Sequence, residues 1–265
     1  EQLEDTRQFW NRSPCGGQTS FESRRQHRFT MEPWLPMVLG GLASRFSYIT
    51  EIGCGQGTDG LELCQQLPVD GGYVGLDYSD ESIRSARAAS AEITETLRVQ
   101  PEFKVGNAEE LPFEKDSLEC VYSMGVLHHT ADTQRSVDEI WRCLQPGAQA
   151  HVILYRVWGP KVAVAKTLRA LQWLVDRITG RERSLYHWVQ GRHMERTLGT
   201  MLLECFGVPH LRCYTRRGIR RLFARYRIIS LVPVGYNLPW LHGDGYRTNR
   251  LGYFWFVQAE KPRAI

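Results

Sequence analysis

The chain has 265 residues, 42% of them apolar and 23% charged, a composition that can bury a sizeable core and excludes a disordered chain. No apolar run approaches the ~20 residues that span a bilayer as a helix, so no segment reads as transmembrane. The net charge of +4 hides a split: residues 156–265 hold 20 Lys and Arg against 6 Asp and Glu (+14), while residues 1–155 hold 13 against 23 (−10). A basic C-terminal part suits an anionic partner, whether an acidic molecule, an anionic membrane surface or a nucleic acid. A solvated face balancing the acidic half accounts for it equally well.

The cysteines, Cys15, Cys54, Cys64, Cys120, Cys143, Cys205 and Cys213, form no C-x-x-C pair and no metal-ligand spacing with histidine. Such a scattered, odd set reads as reduced thiols in a cytoplasmic chain without a metal. The opening EQLEDTRQFW lacks the apolar stretch of a secretory signal. Asn11-Arg12-Ser13 is then a chance glycosylation triplet.

Residues 1–45 are mixed and aromatic, with Phe9, Trp10, Phe21, Phe29 and Trp34, and read as an irregular or helical lead-in. From 48 to 155 short strand-like runs alternate with helical ones. Strands are expected at 48–52, 72–78, 103–108, 118–125 and 148–155. Helices are expected at 58–67, at 79–94 with Ser79 as N-cap, and at 130–144, stopped by Pro146-Gly147. This alternation implies a parallel sheet covered on both faces. Residues 160–206 break the rhythm with two long helical stretches, 161–178 and 184–206, which read as an inserted cap. In the first, Leu168, Leu171, Leu174, Val175 and Ile178 share one face, and Lys161, Lys166, Arg169, Arg177 and Arg181 lie largely elsewhere. A basic helix over 214–226, capped by Thr215, and strands at 227–236 and 252–261 complete the sheet.

The chemistry is carried by EIGCGQGTDG (51–60) and Asp77. A strand ends at Ile52 and the backbone turns through Gly53, Gly55 and Gly57 into a helix. Glycines allow close approach of a ligand, and the free N–H groups of the helix start bind polar or anionic groups. Asp77 ends the next strand, where a carboxylate can accept two hydrogen bonds from a ribose diol. Alone, this could be a dinucleotide site. That fingerprint needs a glycine at 58, however, and the chain has Thr58. Glu51 would also set a negative charge near a pyrophosphate. S-adenosylmethionine (SAM) has no phosphate and carries a cationic amine and a sulfonium, so an acid at 51 fits SAM and disfavours NAD.

At these residues the chain resembles the class I SAM-dependent methyltransferases, especially bacterial small-molecule methyltransferases with a ubiquinone/menaquinone-methyltransferase-like core. EIGCGQGTD resembles the first family motif and GLDYS (75–79) the second. VGNAEELPFEKDSLECVYSMGVLHH (105–129) is similar to the third and fourth, and LQPGAQ (144–149) to the turn before strand five. WNRSPCG (10–16) with RFTMEP (28–33) resembles an N-terminal element that lies over the cofactor in a subset of these proteins. Pattern and resemblance together imply an α/β fold. It is a Rossmann-like, seven-stranded, mostly parallel sheet with helices on both faces, plus an inserted helical cap. Four parts are expected: 1–45 covering the cofactor site, 46–158 binding SAM, 159–213 the cap, and 214–265 completing the sheet. Two positions depart from the family: Asn107 stands where Asp is usual, and its carbonyl still accepts a hydrogen bond, while Glu119 stands where Asp is common.

The resemblance implies a cofactor set of Glu51, Gly53, Cys54, Gly55, Gly57, Thr58, Asp59, Asp77, Tyr78, Ser79, Asn107, Ala108, Glu109, Met124 and Gly125. The glycines would line the methionine part, Asp77 the ribose, Asn107 to Glu109 the adenine, and Met124 onward the sulfonium. Methyl transfer from a sulfonium is an in-line displacement that rests mainly on positioning and desolvation. A base is needed only where the nucleophile must lose a proton. His128 and His129, after strand four, are the catalytic candidates; a loop-shaping role is the alternative. His27, Tyr214, Arg217 (with Arg216, Arg220 and Arg221), Tyr236, Trp240 and His242 are candidates for the acceptor pocket, and 234–246 for a loop over the site. The expected activity is methyl transfer to O or N of a small molecule, an acidic one being one of the options. The alternatives are a lipid or quinone-like acceptor at an anionic membrane, or SAM binding without transfer. A nucleic-acid partner is disfavoured because no RNA-binding module is recognisable.

Overall fold

Three helices precede the first strand: α1 (Gln2–Arg12), α2 (Phe21–Met31) and α3 (Leu35–Ala43). The computed structural model describes residues 2–12, 20–158, 160–182, 184–185, 208, 210–235 and 252–263. The Ser20 hydroxyl caps α2 by accepting from Ser23 N. Apolar α3 buries Leu35, Val38, Leu39 and Leu42 against the sheet.

The strand–helix alternation then follows: β1 (Tyr48–Ile52), α4 (Thr58–Gln66), β2 (Gly72–Asp77), α5 (Asp80–Glu92), β3 (Glu102–Val105), β4 (Leu118–Met124), α6 (Thr133–Cys143) and β5 (Leu144–Tyr155). After them come α7 (Pro160–Thr179), α8 (Arg216–Leu222), β6 (Arg227–Val234) and β7 (Phe254–Glu260). The seven strands lie in the order β3-β2-β1-β4-β5-β7-β6. The first five are parallel, and β7 runs antiparallel to both β5 and β6. Central strands covered on both faces are apolar nearly throughout, as in LECVYSM of β4 and HVILY of β5. The core accordingly divides into two clusters. Leu39, Ile49, Leu61, Tyr73, Phe103 and Tyr122 belong to one. Ile52, Leu76, Val121, Val137, Ile140 and Val152 belong to the other.

Within the described residues the strands and helices anticipated from the sequence are present, with differences at their ends. Ser79 caps α5, accepting from Ser82 N at 3.1 Å, and Thr215 caps α8, accepting from Gly218 N at 3.0 Å. Pro146-Gly147 do not stop α6. That helix ends at Cys143, and both residues lie inside β5, where the register with β4 shifts between Leu118 and Cys120. A bulge tolerates a proline that a regular central strand would reject. What holds the end of α6 is Lys261: its buried ammonium donates to the carbonyls of Trp141 (2.8 Å) and Leu144 (2.7 Å), pairs with Asp116, and lies over the Trp141 ring. The third strand ends at Val105 rather than 108: Gly106 N still bonds Asp77 O, and the chain then turns at Asn107, whose carbonyl accepts from Glu110 N. The basic helix is confined to Arg216–Leu222. The helical stretch 184–206 lies almost wholly outside the described residues. So do most of the 234–246 loop, residues 13–16 of WNRSPCG, and Cys15 and Cys205. Among the described residues no helix is long and apolar enough to cross a membrane.

Candidate active site

Adjacent strands β1 and β4 end side by side, and each is followed by a glycine in the left-handed region: Gly53 at φ 78° and Gly125 at φ 76°. Gly53 N and Cys54 N donate to Leu76 O at 2.6 and 2.9 Å, which pulls the turn after β1 against the end of β2. A side chain at Gly53 would strike Val126 at 2.2 Å, so this glycine is a packing requirement. Gly55 (φ 52°) and Gly125 differ: a Cβ at either would meet no protein atom within 4 Å. Their bare backbone faces an open cleft at the C-terminal edge of the sheet, where a ligand can approach closely.

Carboxylates surround the turn. Asp77 accepts from Gly55 N at 2.8 Å and from Ser79 N at 2.9 Å, so it ties together the turns after β1 and β2. Burial raises its pKa, and those backbone donors pull the other way. The backbone of Tyr78 acts on it as well, which leaves one of the carboxylate's roughly four acceptor sites for a ligand hydroxyl. Glu51 is 3% exposed and accepts from the hydroxyl of Tyr73, which reaches it beneath Gly60. Burial, then the charge of Asp59, pushes the Glu51 carboxyl up to about 8. Glu51 is therefore largely neutral at pH 7, which corrects the picture of a standing negative charge at this place. Asp59, in the first turn of α4, is held by Arg28 of α2 through two bonds, Nε–Oδ1 at 3.0 Å and Nη2–Oδ2 at 2.8 Å, and by Tyr122 Oη at 3.0 Å. Arg28 Nη2 also lies 3.0 Å from Met124 Sδ. One turn earlier on α2, Arg25 pairs with Glu62. Residues at i and i+3 on α2 thus match residues at i and i+3 on α4.

On the opposite flank, α1 packs on the start of α5. Arg7 pairs with Asp80, and Asn11 Oδ1 accepts from Ser79 Oγ at 2.7 Å. Ser79 is thereby engaged with the lead-in and with its own helix cap; Tyr78 is half-buried beside it. Asn107 Oδ1 accepts from Glu109 N at 2.9 Å, and Ala108 is buried. Glu109 turns its carboxylate to Asp132 N (3.0 Å), so it braces the start of α6. Cys54 is buried, and Thr58 is half-buried as the first residue of α4.

His128 and His129 form a single tight turn after β4, and both are buried. The His128 ring packs between those of His129 (4.1 Å) and Tyr155 (4.3 Å). His129 Nδ1 lies 2.7 Å from His210 O, and its ring 5.6 Å from that of Trp10. Arg212 N donates to His128 O and Tyr214 N to Tyr155 O, so segment 210–214 is brought to this edge, with Tyr214 half-buried. The other acceptor candidates are not gathered there. His27 is exposed on α2, which offers Arg28 to the cleft instead. Arg216, Arg217, Arg220 and Arg221 are all exposed on α8. Tyr236, Trp240 and His242 lie outside the described residues. Sequence reasoning passed over Tyr73, Tyr122 and Arg7, and it quoted Asn11 and Arg28 within WNRSPCG and RFTMEP without a role for either side chain. For Arg28 the matched spacing of Arg25/Arg28 with Asp59/Glu62 was a further signal. Among the described residues no cluster has the makings of a metal site.

The methyltransferase domain family matches residues 50–152. A demethylmenaquinone methyltransferase of Lactococcus lactis is 28% identical over 147 residues, which cover 54% of this chain and 56% of that protein. The chain thus spans about half the length of this curated relative. In fold, the chain is similar to a SAM-dependent methyltransferase from Methanosarcina mazei, with TM-score 0.58 and 21% identity over 86% of this chain and 98% of that one. It is also similar to magnesium protoporphyrin IX methyltransferase of Synechocystis, with bound S-adenosylhomocysteine, at TM-score 0.58 and 13% identity over 99% and 94%.

Proposed function

We propose that the protein transfers a methyl group from SAM to an O or N atom of a small molecule, a reading supported by the methyltransferase domain family's match to residues 50–152 and by the fold shared with SAM-dependent methyltransferases. The observation that carries the reading is the cleft at Gly55 and Gly125, open to a ligand and bordered by Glu51, Asp59 and Asp77. The residues fit the group: bare backbone admits it, and the described charges acting on Glu51 are two acids, Asp59 and Asp77, against one cation, Arg28, a balance that suits a cationic ligand. When bound, SAM supplies the methyl group from a sulfonium whose leaving group needs no protonation. Arg28 and Glu51 are assigned to the carboxylate and amine of the methionine part, and Asp77 to the ribose. Asn107 and Ala108 are assigned to the adenine. Met124, braced by Arg28 and Tyr122, and Gly125 border the reacting centre.

The chain's contribution is positioning and exclusion of water, with α1 and α2 laid over the two turns. We assign His128 and His129 to shaping the acceptor mouth, since ring packing and a main-chain carbonyl engage them. A base role stays open only to an acceptor that reaches His129. The exposure of Arg216, Arg217, Arg220 and Arg221 weakens the case for an acidic acceptor clamped by α8. A lipid or quinone-like acceptor is the second reading, favoured by the demethylmenaquinone methyltransferase of L. lactis. Incubation with methyl-labelled SAM and fractionated cell extract tests both. Label in water-soluble small molecules supports the first reading and label in the lipid fraction the second. Cofactor binding with no label in any fraction leaves SAM binding without transfer.

A further inference from the structure

We propose that α7 docks the protein on an anionic lipid surface. Helix α7 leaves the sheet at the end of β5, the edge at which Gly53 and Gly125 turn, and Gly125 N is itself bonded to Ile153 O of β5. Its first turn is anchored by Val162, which is buried with Tyr155 in the core. Beyond that anchor the apolar stripe faces outward: Leu171 is 47% exposed, Leu174 47% and Ile178 75%, with Trp158 ahead of the helix at 75%. Lys166, Arg177 and Arg181 are exposed around this stripe, and Trp173, 62% exposed, carries the Arg177 guanidinium 5.5 Å from its ring centre. An apolar stripe edged by basic side chains and an amphipathic Trp is the pattern of a helix lying in a lipid headgroup layer.

Charge selects the occupant. Residues 160–182 hold five Lys and Arg against two acids, Asp176 and Glu182. Two copies meeting through this face would oppose like charges, whereas anionic headgroups complement it. The docked surface would present the cofactor edge to the bilayer, so the use of the surface rests on the methyltransferase reading, while the binding itself does not.

The test is flotation of the full chain with vesicles of phosphatidylcholine alone or mixed with phosphatidylglycerol, in parallel with equilibrium dialysis of labelled SAM. The protein should float with the mixed vesicles and not with phosphatidylcholine. Joint substitution of Leu174→Ser and Ile178→Ser should weaken vesicle binding at least about tenfold by removing two exposed apolar groups. Lys166→Glu with Arg177→Glu should abolish the preference for anionic vesicles. All these positions are exposed, so SAM affinity should be unchanged and reports an intact fold. Wild-type protein that floats with neither vesicle overturns the proposal. So does flotation that survives both substitutions, or an effect of Leu174→Ser and Ile178→Ser confined to self-association in sedimentation. Protein that floats but binds no SAM leaves the docking surface standing and removes the methyltransferase reading instead.

Discussion

Glu51 should make cofactor binding strongly pH dependent, and Glu51→Gln should remove the dependence. The carboxyl is pushed up to about 8, first by burial and then by Asp59. Asp77 adds to this, while the Tyr73 hydroxyl and Arg28 oppose it. With that value, about half of Glu51 is ionised at pH 8 and about 1% at pH 6. If only the ionised form holds a cationic amine tightly, apparent affinity scales with that fraction and weakens about 50-fold from pH 8 to pH 6. Above pH 8 an ordinary α-amino group, with a pKa of about 7.7–8.0, loses its own charge, so the profile should be bell-shaped. In the ligand-free protein the sign is opposite. A carboxyl raised from 4.5 to about 8 contributes stability that is fully present below the lower value and lost as pH rises through the upper one. Equilibrium dialysis of labelled SAM across this range is the assay. A wild-type affinity that changes less than about threefold between pH 6 and pH 8 would refute the reasoning, as would a Glu51→Gln variant that keeps the wild-type slope.

Gly55→Val should leave the fold intact, because its Cβ meets nothing within 4 Å, while blocking the cleft; the φ of 52° adds ~1–2 kcal/mol of strain. Retained SAM affinity with a lowered melting temperature would mean that the turn is not the site. Lys261→Met should destabilise the protein by about 1–3 kcal/mol in urea unfolding, because the carbonyls at the end of α6 lose a buried donor while Asp116 stays in contact with solvent; a loss below about 0.5 kcal/mol would show the staple to be idle. His151 is 1% exposed, and neither ring nitrogen has a hydrogen-bond partner. Burial, aided by Arg45, lowers its pKa to about 4. A depressed base costs stability as pH falls from 6.5 towards 4, up to about 3 kcal/mol. His151→Leu should flatten the acid side of the stability curve, and unchanged acid sensitivity would place the cause elsewhere.

The architecture was largely legible in the sequence. Apolar strands bounded by turn residues, and caps such as Ser79 and Thr215, are local signals, and each is realised. What failed was local too: Pro146-Gly147 read as a helix stop, and the bulge in β5 that accommodates them is a property of strand pairing. The glycine turn and Asp77 were readable because their spacing reports a strand–turn–helix unit. Tyr73 and the pairing of Arg28 with Asp59 were not, because these side chains come from other elements: one from beneath Gly60, the other from a helix that precedes the sheet and was quoted only as part of RFTMEP. The acceptor side was the least legible. His27 and Arg217 were named by residue type alone, and type does not say which face of a helix a side chain occupies.

The strand order at the β7 edge constrains how the chain can be assembled. β6 has β7 as its neighbour in the sheet, and β7 is synthesised after it, so β6 emerges with nothing to pair with. Until β7 arrives, β5 also presents a bare edge, the kind of template on which foreign strands add. The buried Glu32 at the end of α2 waits for the same event, since its carboxylate accepts from Tyr253 just ahead of β7 as well as from Trp34. One short late-made strand therefore completes two neighbours and seats the N-terminal helices. A nascent chain stalled before it would hold the assembled β1–β5 half beside an open, adhesive flank.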